Sequence, residues 1–255
     1  MTLRQIYEPR LYSGVYSNRI GKGTHLAVDA LQRAVWKVSK NLTRPCFGLK
    51  CDIKRFYDSV DHEILKETLA KVIHDDRALH LLGHVIDSFH VEGSVGRGAP
   101  IGNLTSQIFT NIYLNDFDQY VKHALRVKHY LRFADDCLFI APHRQELEEL
   151  LPKIEEFLAL RLKLALHPDK VSIRPLNHGI DFLGIVVHPF HRTLRTTTKR
   201  RMLRKLTERH GEAFRGEIDS DSLHQSLQSY LGILSHVDGH ELSTLLKNRF
   251  SLLST

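Results

Sequence analysis

Cysteine is scarce in this chain of 255 residues: Cys46, Cys51 and Cys137 are the only three. No CxxC or other paired spacing joins them. An odd, unpaired set excludes a disulfide framework, so all three are expected as reduced core residues. Long apolar runs are also missing. Nothing approaches the roughly 20 residues that a bilayer span needs, and the opening MTLRQIYEPR has no secretory-signal core. The expectation is a cytoplasmic protein with no membrane partner. The 17 histidines are scattered, and no HExxH or other tight ligand spacing gathers them, which argues against a histidine metal site. No internal repeat or low-complexity tract interrupts the chain.

What is present is an ordinary globular composition, 42% hydrophobic and 25% charged, enough to bury a core. The formal net charge of +7 favours a polyanionic partner. After the basic turn SNRIGKGTH, Val28, Leu31, Val35 and Val38 recur at helical spacing. From Phe47 the period becomes two: Phe47, Leu49, Cys51 and Ile53 alternate with Gly48, Lys50, Asp52 and Lys54. Asp52 is therefore expected on the strand face opposite the core. Asp61 is placed to cap a helix carrying Ile64, Leu65, Leu69, Val72 and Ile73.

The glycine-rich EGSVGRGAPIGN leads into LTSQIFTNIYLNDFDQYV, read as a buried helix. HYLRFADDCLFIA reads as a strand–turn–strand hairpin around Ala134, Asp135 and Asp136. A helix carrying Leu147, Leu150, Leu151, Ile154 and Leu158 follows, with Pro152 expected to kink or split it. DFLGIVV suggests one short strand, 199–209 a basic segment, HGEAFRGEIDSD a loop and SLHQSLQSYLGILSHV a further helix. The order implies an α+β fold, an antiparallel sheet backed by helices.

Two adjacent aspartates at a hairpin turn, with a third on another strand, crowd negative charge where a counter-cation is needed. Magnesium supplies such a cation: it takes hard oxygen ligands and keeps sites for phosphate oxygens. Two ions held by Asp52, Asp135 and Asp136 suit phosphoryl transfer, one activating a hydroxyl and one stabilising the leaving oxygen. The plain alternative is a polar turn. It weakens because Asp52 interrupts an otherwise apolar strand.

The segments CDIKRFYDSVDH, GRGAPIGNLTSQIFTNIYLNDFD, HYLRFADDCLFIA, LKLALHPDKVSI and IDFLGIVVHP resemble, in order, the palm motifs of reverse transcriptases, and SNRIGKGTH resembles their fingers motif. The resemblance spans roughly 17–190 and implies a right-hand polymerase. Its parts are fingers over 1–46, a palm strand over 47–62, fingers and palm helices over 63–98, palm over 99–190 and a short helical thumb over 191–255. It implies DNA synthesis from dNTPs on an RNA template, extending a DNA or RNA primer, with two magnesium ions.

By position, the resemblance assigns Asp52, Asp135, Asp136 and the Ile53 carbonyl to the metals. It assigns Arg19, Lys22, Arg55, Phe56, Tyr57, Ile101, Gly102 and Lys170 to the nucleotide. Tyr57 then stands under the sugar and excludes a 2′-hydroxyl, the amides of Arg55 and Phe56 meet the triphosphate, and Lys170 protonates the departing pyrophosphate. Phe182, Leu183 and Gly184 support the primer terminus. Arg201, Arg204 and Lys205, on one possible helix face, suit duplex phosphates.

Ile101 stands where the family usually has glutamine, and Gln107 where it has proline. This resembles the error-prone enzymes of diversity-generating retroelements, which implies a small basic accessory protein and a structured RNA as partners. Group II intron enzymes, the next nearest, keep the glutamine and carry further segments, whereas this sequence stops at Thr255. Two other readings stay open: a catalytically reduced RNA-binding scaffold, and another two-metal enzyme such as a nucleotide cyclase.

Overall fold

The computed structural model describes residues 2–100 and 104–250. The chain divides into two compact units, Met1–Pro175 and Leu176–Thr255.

In the first unit, helices α1 (Thr2–Tyr7) and α2 (Thr24–Val38) precede strand β1 (Phe47–Asp52). Gly23, at φ 145°, turns the chain into α2, whose Ala27, Val28, Leu31, Ala34 and Val35 are buried as their spacing requires. Three helices follow: α3 (Phe56–Ser59), α4 (His62–Ala70) and α5 (Asp76–Asp87). Asp61 caps α4, its carboxylate accepting the Ile64 N–H at 3.2 Å. The helix stops at Ala70, before Val72 and Ile73, and Ile73 reaches the core from the turn that follows.

The single buried helix expected over LTSQIFTNIYLNDFDQYV is in fact α6 (Leu104–Tyr113), α7 (Asn115–Gln119) and a π-helical turn, Tyr120–Ala124. Leu114 separates α6 from α7 and is itself fully buried. Strands β2 (His129–Phe133) and β3 (Asp136–Ala141) form the expected hairpin, followed by α8 (Arg144–Leu162) and β4 (Ser172–Pro175). Pro152 does not split α8. It lies on the exposed face, where water can satisfy the carbonyl one turn earlier, while Leu147, Ile154, Leu158 and Leu162 bury the other face on both sides of it.

The four strands form an antiparallel sheet in the order β2-β3-β1-β4. Leu49, Cys51, Tyr130, Cys137 and Phe139 join α6, α7 and α8 residues in one core, while α2 packs on β2 and β3. The cysteines are free and buried, as expected.

The second unit holds an antiparallel sheet, β5 (Ile180–Phe182), β6 (Ile185–Val187) and β7 (Arg192–Leu194). DFLGIVV is therefore a hairpin and not one strand: Leu183 and Gly184 both have positive φ, 54° and 83°, as a two-residue type I′ turn demands. Helices α9 (Thr196–Phe214), α10 (Ser220–Leu234) and α11 (His240–Phe250) complete it around Met202, Leu206, Leu227, Leu234, Leu246 and Phe250. His210–Phe214, expected as loop, is the last turn of α9. Among the described residues no helix is long and apolar enough to cross a membrane.

Candidate active site

The register of the first sheet brings the carboxylates together. Asp52, the last residue of β1, lies directly opposite Asp136, the first of β3, and Asp135 occupies the two-residue turn just before it. Like charges at a cross-strand pair repel, so two aspartates facing each other are unfavourable unless something neutralises them. Here lysines do. Lys50, two residues before Asp52 on the same strand face, reaches diagonally to within 3.2 Å of Asp136 Oδ1, and Lys170 Nζ lies 3.0 Å from Asp52 Oδ1.

Neither lysine completes the site. Lys50 is within ion-pair distance of Asp136 Oδ1 but not aligned to donate, so that buried oxygen has no hydrogen bond. Burial pushes the Asp135 carboxyl above the ordinary range, and Asp52 and Asp136 push it further. A buried carboxylate oxygen without a hydrogen bond, beside a carboxyl that burial and two like charges raise although Lys170 lowers it, fits a hard divalent cation, whose preferred donors are such oxygens. Among the described residues, no three His, Cys, Asp or Glu side chains stand preassembled as a ligand group.

Other predicted residues sit around this end of the sheet. Ile53 is buried, and its N–H donates to the Asp135 carbonyl at 3.3 Å, tying β1 to the turn. Arg55, at φ 44° and ψ 49°, opens α3, so the first amides of that helix have no partner within it. The Phe56 ring is buried against Tyr57 and Tyr113, which leaves only its backbone for a ligand. The Tyr57 hydroxyl is raised by burial and by the nearby Asp135, against a hydrogen bond with Thr110. Lys170 is raised through its hydrogen bond with Asp52. It stays charged and half-exposed beside the carboxylates.

Arg19 is engaged elsewhere. Its Nε lies 2.7 Å from Glu8 Oε1, and its other nitrogens donate to the Tyr12 and Glu8 carbonyls, with only 9% of the side chain exposed. Lys22 donates to the Ser13 carbonyl at 2.9 Å and lies over the Tyr16 ring. Ile101 and Gly102 lie outside the described residues.

The remaining predicted residues belong to the second unit. Phe182 is fully buried, so its turn can offer only Leu183 and Gly184 to a ligand, with the Gly184 carbonyl accepting the Arg195 N–H at 2.9 Å. Arg201, Arg204 and Lys205 are exposed along α9, flanking the buried Met202 and Leu206.

Sequence reasoning missed Lys50 as a partner, although the alternation already puts it on the face of Asp52. It also missed Arg132, a lone charge inside HYLRF and now fully buried. Arg132 Nε and one terminal nitrogen grip Asp118 at 2.8 and 2.6 Å, and Tyr130 donates to the same carboxylate at 2.8 Å. Burial works against the Arg132 charge, and Asp118 more than restores it. A cleft of about 690 Å³ lies between Val38, Arg126, His129, Pro142 and Lys153 at the far end of β3. It contains none of the aspartates, and the chemistry argues for the carboxylate end over this cleft.

An antiparallel sheet with paired carboxylates at a hairpin and helices on both faces defines a class, and the comparisons give it a family. Residues 5–187 match the model described as "Reverse transcriptase (RNA-dependent DNA polymerase)". The chain belongs to that family. It is 25% identical over 235 residues to protein YkfC of Escherichia coli strain K12, covering 78% of this chain and 60% of that protein. It is 27% identical over 127 residues, 48% of this chain, to an uncharacterized 91 kDa protein in the cob intron of Schizosaccharomyces pombe, covering 15% of that protein. Among solved structures, apo telomerase from Candida tropicalis without its C-terminal domain aligns at TM-score 0.58 and 17% identity, over 76% of this chain and 45% of that one. Telomerase from the same species with a fragment of telomeric RNA aligns at TM-score 0.60 and 13% identity, over 96% of this chain and 47% of that one. The fold is that of a reverse transcriptase. The chain spans less than two thirds of the length of each of these relatives.

Proposed function

We propose that this protein synthesises DNA on an RNA template, adding dNTPs to a primer at the Asp52–Asp135–Asp136 site. The observation that carries the reading is the register pair Asp52↔Asp136 next to Asp135, with a buried carboxylate oxygen left unsatisfied. Asp52, Asp135, Asp136 and the Ile53 carbonyl are the groups that would hold two magnesium ions. Bound there, the ions would activate the primer hydroxyl and stabilise charge on the leaving pyrophosphate. The chain's own groups do the rest. Tyr57 limits the sugar pocket, the amides opening α3 face the triphosphate, and Lys170 carries a proton beside the carboxylates, placed to meet the leaving oxygen. Arg19 and Lys22 reach a nucleotide only if they leave Glu8, Tyr12 and Ser13. Leu183, Gly184, Arg201, Arg204 and Lys205 serve primer and template, and the cytoplasm is the expected compartment.

Extension of a DNA primer on an RNA template tests this directly. Activity is expected with magnesium, is removed by EDTA, and is lost in Asp135→Ala while template binding persists. A wild-type chain that binds RNA but never extends, even with its partners supplied, overturns the reading in favour of a scaffold. A cyclic nucleotide formed without primer overturns it in favour of a cyclase.

For lineage we propose the error-prone type of diversity-generating retroelements, with a small basic protein and a structured RNA as partners, because Ile101 stands in place of the family's glutamine. Misincorporation opposite template adenine is expected to fall in Ile101→Gln; equal error rates in the two proteins remove Ile101 from the explanation. The relative in the cob intron favours an intron-type enzyme as the second reading. Wild-type fidelity already equal to that of Ile101→Gln would agree with it.

A further inference from the structure

The turn that carries Asp135 is strained, and it is held by a buried circuit that nothing above assigns to catalysis. Ala134 sits at φ 53°, a conformation that glycine adopts freely and alanine does not. Both of its backbone groups are nevertheless fixed. Its N–H donates to Ser17 Oγ at 2.8 Å, and its carbonyl accepts from an Arg132 terminal nitrogen at 3.0 Å. Asn111 closes the ring, its Oδ1 accepting from that Arg132 nitrogen at 3.2 Å and from Ser17 Oγ at 3.4 Å. Asn111 Nδ2 donates in turn to the Ser17 carbonyl at 2.9 Å.

Asp118 anchors the circuit by taking the other two guanidinium nitrogens, and all four side chains are buried, Arg132 and Asp118 at 0% exposure. The residues come from four places: the 14–17 segment, α6, α7 and β2. The 14–17 segment is itself laced to β2, with Arg132 N–H on the Gly14 carbonyl and Tyr16 N–H on the Arg132 carbonyl, both at 2.9 Å.

A buried ion pair is a poor source of net stability, since desolvation offsets most of its attraction. Its strength is geometric, because a forked guanidinium with every nitrogen committed permits one arrangement. We infer that Ser17, Asn111 and Arg132, anchored on Asp118, are positioning residues that set the place of the Asp135 carboxylate by clamping the Ala134 peptide from both sides. The inference rests on the reading of Asp135 as a metal-holding carboxylate. None of the four needs to touch substrate or ion.

Ser17→Ala is the sharpest test, because it deletes one hydroxyl from the ring with little change in volume. Ser39→Ala is the control: Ser39 is equally buried and its hydroxyl accepts the Leu42 N–H at 3.0 Å, beyond the end of α2. Two quantities are read on the full chain, Mn2+ affinity by electron paramagnetic resonance and single-nucleotide extension kinetics. Ser17→Ala is expected to weaken Mn2+ binding about 10-fold, the scale of losing a group that orients a metal ligand. The extension rate should fall by about 10- to 100-fold with little change in KM for the dNTP, as misplacement of a reacting group does. Ser39→Ala should leave both unchanged, with a comparable fall in melting temperature of about 2–4 °C.

If Ser17→Ala matches Ser39→Ala in both readouts while wild type extends primers, the inference fails and the polymerase reading stands. If wild type binds Mn2+ but never extends, and Ser17→Ala still weakens binding, the positioning role stands and the polymerase reading fails. Absence of Mn2+ binding by wild type overturns both. Arg132→Lys keeps the charge but not the fork; recovered folded with wild-type Mn2+ affinity, it overturns the inference too.

Discussion

In the proposed function, Tyr57 is the residue on which the choice of sugar would turn. It is half-buried at the start of α3, where burial and then the nearby Asp135 keep its hydroxyl protonated, and it is hydrogen-bonded with Thr110. Forcing a 2′-hydroxyl against a held ring costs about 1–3 kcal/mol, as overpacking does. Tyr57→Ala is therefore expected to narrow the preference for dNTPs over rNTPs by about 5- to 150-fold. Competition between paired dNTP and rNTP substrates in single-nucleotide extension measures this. An unchanged ratio returns Tyr57 to the role of a packed aromatic. At this scale the sequence was informative where a simple period operates. Asp52 stood out because alternation left one carboxylate on an apolar strand, and Asp135 with Asp136 because aliphatic runs flank them. It was silent where contacts are long in sequence: nothing in SNRIGKGTH shows that Arg19 is tied to Glu8, or in HYLRF that Arg132 answers Asp118.

Among the elements, α4 and the β5–β6 hairpin carry separable predictions. The Asp61 carboxylate caps α4 and also meets Lys163 Nζ at 2.7 Å, joining the start of α4 to the residue that ends α8. Burial raises its pKa, but the Lys163 hydrogen bond and the Ile64 N–H outweigh that and leave it below its ordinary value of 3.8. A lowered folded pKa gives stability that is complete above the unfolded value and lost as pH falls through the folded one. Asp61→Ala should cost about 0.5–2 kcal/mol near neutral pH. The difference from wild type should shrink below about pH 4, which urea unfolding across pH can follow; a gap independent of pH would show that the charged form of Asp61 contributes nothing. In the hairpin, Leu183 holds a positive φ that asparagine tolerates better. Leu183→Asn is expected to raise stability by about 0.5–1 kcal/mol in urea unfolding; no gain would mean that contacts of the leucine side chain repay its strain. The same turn explains why DFLGIVV read as a single strand: a Leu-Gly turn lacks the Asn-Gly signal. Pro152 misled for a different reason. Its penalty is local, whereas four buried residues along α8 act over the whole helix.

For the molecule as a whole, the order of the motifs was more legible than its architecture. Successive segments pointed to the family before any contact was known, while the division at Pro175–Leu176 and helix α11 went unread, although Pro175, Asn177 and Gly179 at the one and Asp238–Gly239 before the other are turn signals. Composition contributed one global quantity, the formal charge of +7, and its meaning depends on where the charge sits. Part of it is the exposed row Arg201, Arg204 and Lys205 on α9, where Arg204 has only a loose pairing to Glu208 at 3.5 Å. Exposed pairs of this kind contribute little to stability, so the row is available for phosphates at small structural cost. Each phosphate neutralised by a cation releases bound counterions, and the affinity for a duplex then falls linearly with salt on logarithmic axes, with a slope near −0.9 per contact for B-DNA. Replacing all three residues by glutamine should lower the magnitude of that slope by about 2–3 for a primed RNA template and weaken binding at low salt for every sequence alike. Fluorescence anisotropy over a salt series measures both quantities. A slope equal to that of wild type would assign the row to solvation of α9, and the site on the first unit would then have to find its duplex contacts elsewhere.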